Sequence, residues 1–460
     1  MRTVIYARSH TSILCTYQFT DRYAALAKNL YNAALFRIRQ TFCGWKKSKW
    51  QPNECEVFLE LAEAQKAYPS LKIRQCLSYN ALDKIMRVTH NPDFFAGLPM
   101  QTAQGVLKQA AGDFKNWLTT LRDYKKHPEK YTGRPRMPHY KKSDKATFTV
   151  TNQDAVLYPV NDKQGQPVPG QVRLKLPGME KEEQPILYGF SNEGRLKQVV
   201  FKPFYGYYLL LLVMETPDIL VETDLPHMAG LDLGTDNIAA IACTDQTSVV
   251  FKGGAVLSEN RWFAKKRADA VSMITKGHTH LRAESAHLNR LSLHHSVRNR
   301  NFMHQCSRKI IDWCRKHQVD VLVIGRNKLW KQHTNMGRQN NQKFVSVSHY
   351  QLIELIAFKA TSAGIRVIEQ EESYTSKADV TAADPIPVYG KKDDCTFSGS
   401  RVERGLYRTW KGYCINADCN GAANILRKAI PNAWKGVTDF RFLGFPESIS
   451  YKKIIGSVHA

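Results

Sequence analysis

The pattern of apolar and polar residues in the first 125 positions changes from strand-like to helical. Residues Arg2 to Tyr17 are rich in β-branched and aromatic side chains, which predicts one or two strands. From Thr20 or Asp21 onwards, apolar residues recur every three or four positions, as on one face of a helix. The same period predicts a second helix from Met100 to Tyr124. The region from about 20 to 125 is therefore expected to be mainly helical.

The helical period stops in a basic, proline-rich stretch from Lys125 to Lys142. Its prolines cannot continue a helix, and its cations lie along extended backbone where they can contact phosphate groups. The candidate phosphate contacts here are Arg134, Arg136, His139, Lys141 and Lys142. Strand patterns separated by glycine and proline follow and predict a small β-barrel; they are Ala146–Val150, Val172–Leu176, Gln198–Lys202 and Tyr207–Met214.

Beyond Pro226 the pattern alternates between buried strands and long helices. Three strand patterns come first, at Met228–Leu233, Asn237–Cys243 and Ser248–Phe251. Two helix–strand pairs follow. The helical stretch Glu259–His317 leads to the strand Val319–Ile324, and the helix Tyr350–Ala363 leads to the strand Ile365–Glu369. Strands alternating with helices in this way predict an α/β layer.

The net charge of +25 over 460 residues points to a polyanionic partner. The cations are spread over the whole chain, which favours several basic surfaces and a long nucleic acid; a merely soluble basic protein or a membrane-surface binder is the alternative. No apolar run of about 18 residues occurs, so we expect a soluble cytoplasmic protein with no membrane partner. The length allows two or three domains. Ten cysteines without a Cys-x-x-Cys pair indicate reduced thiols.

Asp232 is the strongest candidate for chemistry, because a carboxylate on an apolar strand is costly unless it is hydrogen-bonded or binds a metal. It lies in Gly230-Leu231-Asp232-Leu233-Gly234-Thr235, a string also found at the start of the sugar-kinase and actin ATPase fold. That fold needs a second glycine-rich phosphate loop, which this sequence lacks, so a ribonuclease-H-like nuclease is favoured. Asp418 is the second candidate, since the small residues of Gly421-Ala422-Ala423 would let a helix pack closely on the sheet. A helix-capping role for Asp418 is the alternative.

These segments resemble the RuvC domain of TnpB, the transposon-encoded RNA-guided DNA nuclease. The resemblance rests on the Asp232 string, on Glu371-Glu372-Ser373-Tyr374-Thr375-Ser376 and on the Asn416-to-Ile425 string, in this order. It implies a wedge β-barrel of the oligonucleotide-binding type, interrupted by a helical recognition lobe and followed by a ribonuclease-H-like (RuvC) α/β nuclease domain. The implied bounds are 1–19 and 126–226 for the basic linker and wedge domain, 20–125 for the lobe and 227–460 for the nuclease domain.

The sequence departs from the TnpB pattern at two places. Where relatives carry a catalytic glutamate after the strand that matches Val319–Ile324, this chain has Gly325, which cannot bind a metal. Some lineages and the Fanzor relatives place the glutamate just before the Thr-Ser string instead, and Glu372 matches that position. Glu371 would face the opposite side, where a solvated neighbour is expected, so Glu372 is favoured and Glu371 is the alternative ligand.

The second departure is the missing zinc site in the insert at about 377–413. Two Cys-x-x-Cys pairs are absent, and Cys395, Cys414 and Cys419 lack the spacing of a tetrahedral site, so we expect no zinc. The insert is expected to be held by prolines and by aromatic residues; these are Tyr389, Phe397, Tyr407 and Trp410.

The resemblance implies an RNA-guided DNA endonuclease with Asp232, Glu372 and Asp418 as catalytic ligands of two Mg²⁺ ions. Guide RNA and target double-stranded DNA are the implied partners in a prokaryotic cell, while the oligomeric state stays open. Further nucleic-acid contacts are expected at Arg298, Arg300, Arg308, Trp330 and Lys331, and no metal is assigned to the histidines from 278 to 304. The alternatives are a miniature type V CRISPR effector, a nuclease-inactive binder that acts as a repressor, and a cut-and-paste transposase.

Overall fold

A computed structural model describes residues 2–6, 8–9, 13–190, 194–216, 227–278, 285–326, 349–388 and 396–455. The backbone forms two compact units, residues 1–218 and 219–460.

Helices make up most of the first 126 residues, as predicted. They are α1 (Ile13–Gly44), α2 (Pro52–Ala67), α3 (Tyr79–Val88) and α4 (Met100–Lys126). Helix α1 begins seven residues before the predicted start. The reason is that the aromatic run read as strand lies on a helix face: Phe19 and Tyr23 are one turn apart, and both rings pack against Phe148. Helix α4 matches its prediction and buries Val106, Ala110 and Phe114.

The strands of the first unit form two four-stranded sheets. They are β1 (Arg2–Tyr6), β2 (Arg8–Ser9), β3 (Phe148–Thr151), β4 (Val156–Asn161), β5 (Pro167–Lys175), β6 (Ile186–Tyr188), β7 (Arg195–Phe204) and β8 (Tyr207–Glu215). The sheet orders are β1-β8-β7-β3 and β2-β6-β5-β4. All four predicted strands are present, as β3, β5, β7 and β8. The closed barrel stays a prediction.

The second unit is built on a six-stranded mixed sheet, which confirms the predicted α/β layer. Its elements are β9 (Met228–Asp232), β10 (Asn237–Cys243), β11 (Thr247–Lys252), α5 (Gly254–Thr275), α6 (Ala286–Lys316), β12 (Val321–Arg326), α7 (His349–Ser362), β13 (Arg366–Glu371), β14 (Ser400–Glu403), β15 (Leu406–Arg408), β16 (Cys414–Asn416), α8 (Ala417–Ala429), β17 (Glu447–Ile449) and α9 (Tyr451–Ile455). The sheet order is β13-β12-β9-β10-β11-β17, and β14, β15 and β16 form a separate small sheet.

Strand directions in the six-stranded sheet are consistent with the predicted ribonuclease-H-like fold. Strand β10 runs antiparallel to β9 and β11, whereas β9, β12 and β13 are parallel. Side chains of α6 and α7 such as Ile310 and Ile356 form the core on one face, and those of α8 such as Ala422 and Ile425 form it on the other. The carboxyl ends of β9, β12 and β13 therefore meet at one edge, between two helical layers.

Within the described residues, no helix is both long and apolar enough to cross a membrane.

Candidate active site

Asp232 ends strand β9 at the edge where the parallel strands finish. Leu231 pairs with Ile324 of β12, so the next residues, Asp232 and Gly325, come side by side. Strand β13 continues the edge, because Gly325 pairs with Gln370 and β13 ends at Glu371. The sheet register therefore brings Asp232 and the start of the segment after β13 to one edge.

Helix α8 rests on strand β9 through glycine. A Cβ on Gly230 would lie 2.0 Å from the carbonyl oxygen of Ala422, and one on Gly421 would lie 2.7 Å from Asp232 Oδ2. A larger residue at Gly230 would push the helix from the strand, and one at Gly421 would displace the Asp232 carboxylate. The close packing expected from the small residues is present, and it brings the first turn of α8 to the end of β9.

Asp418 lies in that first turn of α8, and it is not the helix cap. The side-chain oxygen of Asn416 accepts hydrogen bonds from the backbone N–H groups of Asp418 (3.0 Å) and Cys419 (3.1 Å), which makes Asn416 the N-cap. The capping alternative for Asp418 was therefore wrong. Its carboxylate instead accepts a hydrogen bond of 2.7 Å from Asn237 and lies 3.6 Å from Arg401.

The three carboxylates interact electrostatically. Burial raises the pKa of Asp232 well above its usual range, and the charges of Glu372 and Asp418 raise it further, while Arg401 opposes them. Such mutual repulsion is costly in an unliganded site and is relieved by a cation.

Glu372 occupies the space that Gly325 leaves open. A Cβ on Gly325 would lie 2.9 Å from Glu372 Oε2, so the carboxylate lies directly against the glycine. That oxygen is buried and has no hydrogen-bond partner within the described residues. Burial, with the neighbouring charge of Glu371, raises the pKa of Glu372 to about 7, although Lys428 opposes the shift. A buried carboxylate oxygen without a partner needs a ligand that the protein does not supply.

Glu371 points elsewhere and is ion-paired, not a solvated neighbour. Its carboxylate accepts hydrogen bonds from the Lys428 ammonium (2.6 Å) and from the backbone N–H of Ser373 (2.8 Å). Burial alone would raise the pKa of Glu371, but these hydrogen bonds outweigh it and lower the pKa. The Lys428 side chain is only 7% exposed and also donates to the carbonyls of Ser373 and Pro387. Glu371 therefore anchors the segment that carries Glu372.

The donor set suits a hard divalent cation, although the geometry is not that of a closed site. Within the described part of the chain, no three His, Cys, Asp or Glu side chains are grouped to hold a metal ion. All three candidates offer carboxylate oxygens, the ligand type that Mg²⁺ prefers, and Glu372 Oε2 is already desolvated. The residues present therefore fit the implied metal.

Two family models match the second half of the chain. "OrfB_IS605: Probable transposase" matches residues 212–331, and "Cas12f1-like, TNB domain" matches residues 349–425. The chain is 27% identical over 227 residues to the "CRISPR-associated endodeoxyribonuclease Cas12f1" of Sulfoacidibacillus thermotolerans, covering 47% of this chain and 48% of that protein. It is 24% identical over 213 residues to the "TnpB-like protein ORF457" of Acidianus two-tailed virus, covering 44% and 42%.

These matches confirm the resemblance to TnpB/Cas12-type proteins. The chain matches about half the length of these curated relatives. Similar solved structures include a Cas12f1-sgRNA-target DNA complex, with a TM-score of 0.32 and 11% identity over 94% of this chain and 100% of that chain. CasPhi-2 (Cas12j) bound to crRNA and DNA gives a TM-score of 0.39 and 8% identity over 97% and 92%.

The insert of this TnpB/Cas12-type chain is organised by two buried aspartates, which the sequence did not reveal. Asp379 (0% exposed) accepts hydrogen bonds from Thr381 and from the backbone N–H of Trp410. Asp384 (4% exposed) accepts the backbone N–H of Asp379 at 2.8 Å and both the N–H and the hydroxyl of Ser398. Prolines and aromatic residues were expected to hold the insert. Charge-assisted hydrogen bonds do much of this.

Two aromatic predictions for the insert have different outcomes. Tyr407 is buried and donates its hydroxyl to the carbonyl of Lys377, whereas Trp410 is 56% exposed. Tyr389 and Cys395 lie outside the described residues. Cys414 is exposed and Cys419 is buried, and both are free thiols. The absence of zinc stays a prediction.

Helix α8 also fixes the loop that follows Glu372. Asn424 donates to the carbonyls of Thr375 (3.0 Å) and Ala378 (2.7 Å), and Asn420 donates to Ala378 and accepts from the N–H of Val380. The two asparagines lie one helical turn apart, so both side chains reach the carbonyl of Ala378. The same helix thus holds Asp418 and positions the segment of Glu372.

The predicted basic contacts lie in different settings. Arg134, Arg136 and His139 line an open groove of about 490 Å³ with Arg39 and Trp117, two residues that the sequence reading missed. The Lys141 ammonium lies 4.0 Å from the centre of the Tyr31 ring, and Lys142 is exposed. On α6, Arg298 pairs with Glu259, Arg308 pairs with Asp312, and Arg300 is half-buried. Trp330 and Lys331 lie outside the described residues.

Gly325→Ala is expected to slow DNA cleavage by about 100-fold while leaving DNA binding unchanged. The new methyl group would lie 2.6 Å from Ile425 Cδ1 and 2.9 Å from Glu372 Oε2, so the carboxylate must move. A shift of about 1 Å at a reacting centre costs about 100-fold in rate. The matched control is Gly254→Ala, where the methyl group meets no atom within 4 Å. Equal rates for the two variants would contradict the role of this space.

Asp384→Asn is expected to lower the melting temperature. One carboxylate oxygen becomes an NH₂ group facing donors, and losing hydrogen bonds to a charged group costs about 1.5–3 kcal/mol. For a unit of this size each kcal/mol corresponds to about 2–4 °C. Thermal unfolding should show the drop, with the exposed Asp269→Asn as control. A melting temperature as high as that of the control would mean that this network does not stabilise the insert.

Proposed function

We propose that this chain is an RNA-guided DNA endonuclease that cleaves DNA complementary to a bound guide RNA. The observation that carries the proposal is the desolvated, unpartnered Glu372 oxygen beside Gly325, at the sheet edge that also holds Asp232. A family member without a glutamate at 325 but with one packed into the vacant space retains a complete set of three carboxylates. That set favours an active nuclease over a nuclease-inactive binder.

Asp232, Glu372 and Asp418 would hold Mg²⁺, two ions in the implied site. When bound, the metal supplies charge stabilisation for phosphodiester hydrolysis. The protein's own groups position this set: Asn237 orients the Asp418 carboxylate by its 2.7 Å hydrogen bond, and the Lys428–Glu371 pair fixes the end of β13. The small sheet places Arg401 at Asp418, where a cation can contact an incoming phosphate.

The domain assignments follow from the same proposal. Residues 227–460 form the RuvC-like nuclease domain with the insert at 377–413, residues 20–125 form the recognition lobe, and residues 1–19 and 126–226 form the wedge domain. Base pairing with the guide RNA selects the target, while the protein reads backbone shape and a short flanking motif. The net charge of +25 supplies the cations that such a complex needs.

The test is guided cleavage by the intact protein with the RNA that co-purifies with it. That RNA is sequenced, its guide segment is replaced, and a plasmid library with the matching target and a randomised flank is offered. We expect cutting of the matched target in Mg²⁺, no cutting in EDTA and no cutting with a mismatched guide. Guide-directed binding without cutting would favour the nuclease-inactive reading, and the absence of bound RNA would defeat the proposal. A repeat array beside the gene would indicate the CRISPR alternative.

A further inference from the structure

Helices α5 and α6 form an open cleft of about 240 Å³ that no step of the proposed reaction uses. Flat and charged side chains line it, mainly Trp262, Phe263, His295, Arg290 and the ion pair of Arg298 with Glu259. We refer to it as the α5–α6 cleft. Its volume is below the roughly 300–1,000 Å³ typical of sites for drug-sized ligands, so it suits a ligand of about one ring system.

The wall of the cleft is rigid, and its rim is exposed. The rings of Phe263 and His295 stack with centroids 3.7 Å apart and an interplanar angle of 6°. His295 is fixed further by hydrogen bonds with Asn260 (2.7 Å) and Asn299 (3.0 Å). Trp262, in contrast, is 54% exposed, an unusual position for the largest apolar side chain on a charged helix. A fixed wall beside an exposed indole can receive a planar group.

The chemistry of the lining favours a nucleobase with its phosphate. Trp, His and Arg side chains all stack on aromatic rings, and the exposed Arg290 guanidinium can contact an anion beside the ring. Several histidines in one place raise the question of a metal, but no three His, Cys, Asp or Glu side chains in the described residues are grouped to hold one. An apolar protein segment would gain nothing from the exposed charge of Arg290 at the rim.

The start of helix α5 lies close to the carboxylate edge. The N–H of Gly253, directly before α5, donates to the carbonyl of Asp236 at 2.8 Å, four residues after Asp232. Trp262 comes eight residues after Gly254, which is about 12 Å along the helix axis. A DNA strand held at Asp232 can therefore reach the cleft within a few nucleotides.

We infer that the α5–α6 cleft binds one unstacked base of the single-stranded DNA that enters the carboxylate site, stacked on Trp262. This inference rests on the proposed function, because it takes the ligand to be the nuclease substrate. Stacking here would hold the strand in register, with Arg290 beside its phosphates.

The test measures binding of a fluorescein-labelled, 12-nucleotide single-stranded DNA to the full-length protein with its co-purified RNA, in EDTA. Trp262→Leu, which keeps an apolar group but cannot stack, should weaken binding by about 5- to 150-fold. Trp262→Phe should restore most of the affinity. Met273→Leu on the same helix, at an exposed position outside the cleft lining, should bind like the unmutated protein.

A double-mutant cycle with abasic DNA separates stacking from a general loss of structure. An abasic nucleotide at one position should weaken binding to the unmutated protein as much as Trp262→Leu does, and should not weaken that variant further. Unchanged DNA affinity in Trp262→Leu would overturn the inference, and a loss confined to a 12-nucleotide RNA would overturn the assignment to DNA. If Trp262→Leu weakens DNA binding but the unmutated protein cuts no guide-matched DNA, the proposed function is overturned and the inference about the cleft stands.

Discussion

Glu372→Gln is expected to abolish Mg²⁺-dependent cleavage while guide-directed DNA binding survives. Glutamine keeps the size of the side chain but removes its charge. The buried Oε2 has no hydrogen-bond partner within the described residues, so its partner is the ligand that the site would bind. Gly325 cannot supply a substitute ligand, and Glu371 is already held by Lys428 at 2.6 Å. The measurement is the single-turnover cutting rate of a guide-matched duplex, with binding followed separately.

Two neighbouring glutamates provide controls for this variant. Glu369→Gln changes an exposed residue of the same strand and should cut like the unmutated protein. Glu371→Gln keeps an oxygen for Lys428 and should also cut at a near-normal rate, with a lower melting temperature because the ion pair is lost. Loss of cutting in Glu371→Gln with normal cutting in Glu372→Gln would mean that Glu371, and not Glu372, is the metal ligand. Normal cutting in both would defeat the relocation of the glutamate.

The sequence predicted five of the six strands in the main sheet of the second unit, and four of them, β9 to β12, are largely buried runs. All five predicted strands from Met228 to Glu369 are present, within two residues of their predicted ends, as β9 to β13. Strands β4 and β6 of the first unit were missed. Strand β4 contains Pro159, which weakens a strand pattern, and β6 has only three residues, too few to show a period.

The candidate carboxylates were accessible to sequence reasoning because charge on an apolar strand or beside small helix residues is unusual. Their supporting contacts were not. Asn237 and Asp418 are 181 residues apart, and the sheet and helix α8 bring them together. Asp379 and Asp384 resemble ordinary loop aspartates until their burial is known. A single sequence gives the residue types at such positions but not the pairs that the tertiary fold creates.

The cluster of carboxylates should cost stability in the absence of cations. Asp232 is desolvated beside Glu372 and Asp418, and like charges in one site disfavour each other's ionised form. Sites arranged for a reaction often carry such a cost, so a substitution that removes function can raise stability. Activity and melting temperature should therefore move in opposite directions here.

Asp232→Asn is expected to abolish cleavage and to raise the melting temperature in EDTA. The amide oxygen can still accept the backbone N–H of Leu233, while the charge that repels Glu372 and Asp418 is gone. Each kcal/mol of relieved repulsion corresponds to about 2–4 °C. The unmutated protein should gain stability when Mg²⁺ is added, since a ligand that binds only the folded state stabilises it, and the variant should lose most of that gain.

Thermal unfolding with and without Mg²⁺ measures this, and Asp269→Asn at an exposed position of α5 serves as the control. Asp418→Asn should likewise abolish cleavage, with a smaller rise in melting temperature because Arg401 already offsets part of its charge. Normal cutting by Asp232→Asn would remove this residue from the site. A lower melting temperature in EDTA, together with lost cutting, would mean that Asp232 stabilises the fold and that the loss of activity follows from a damaged sheet edge. If Asp232→Asn gains as much stability from Mg²⁺ as the unmutated protein does, the cation binds at a site that does not include Asp232.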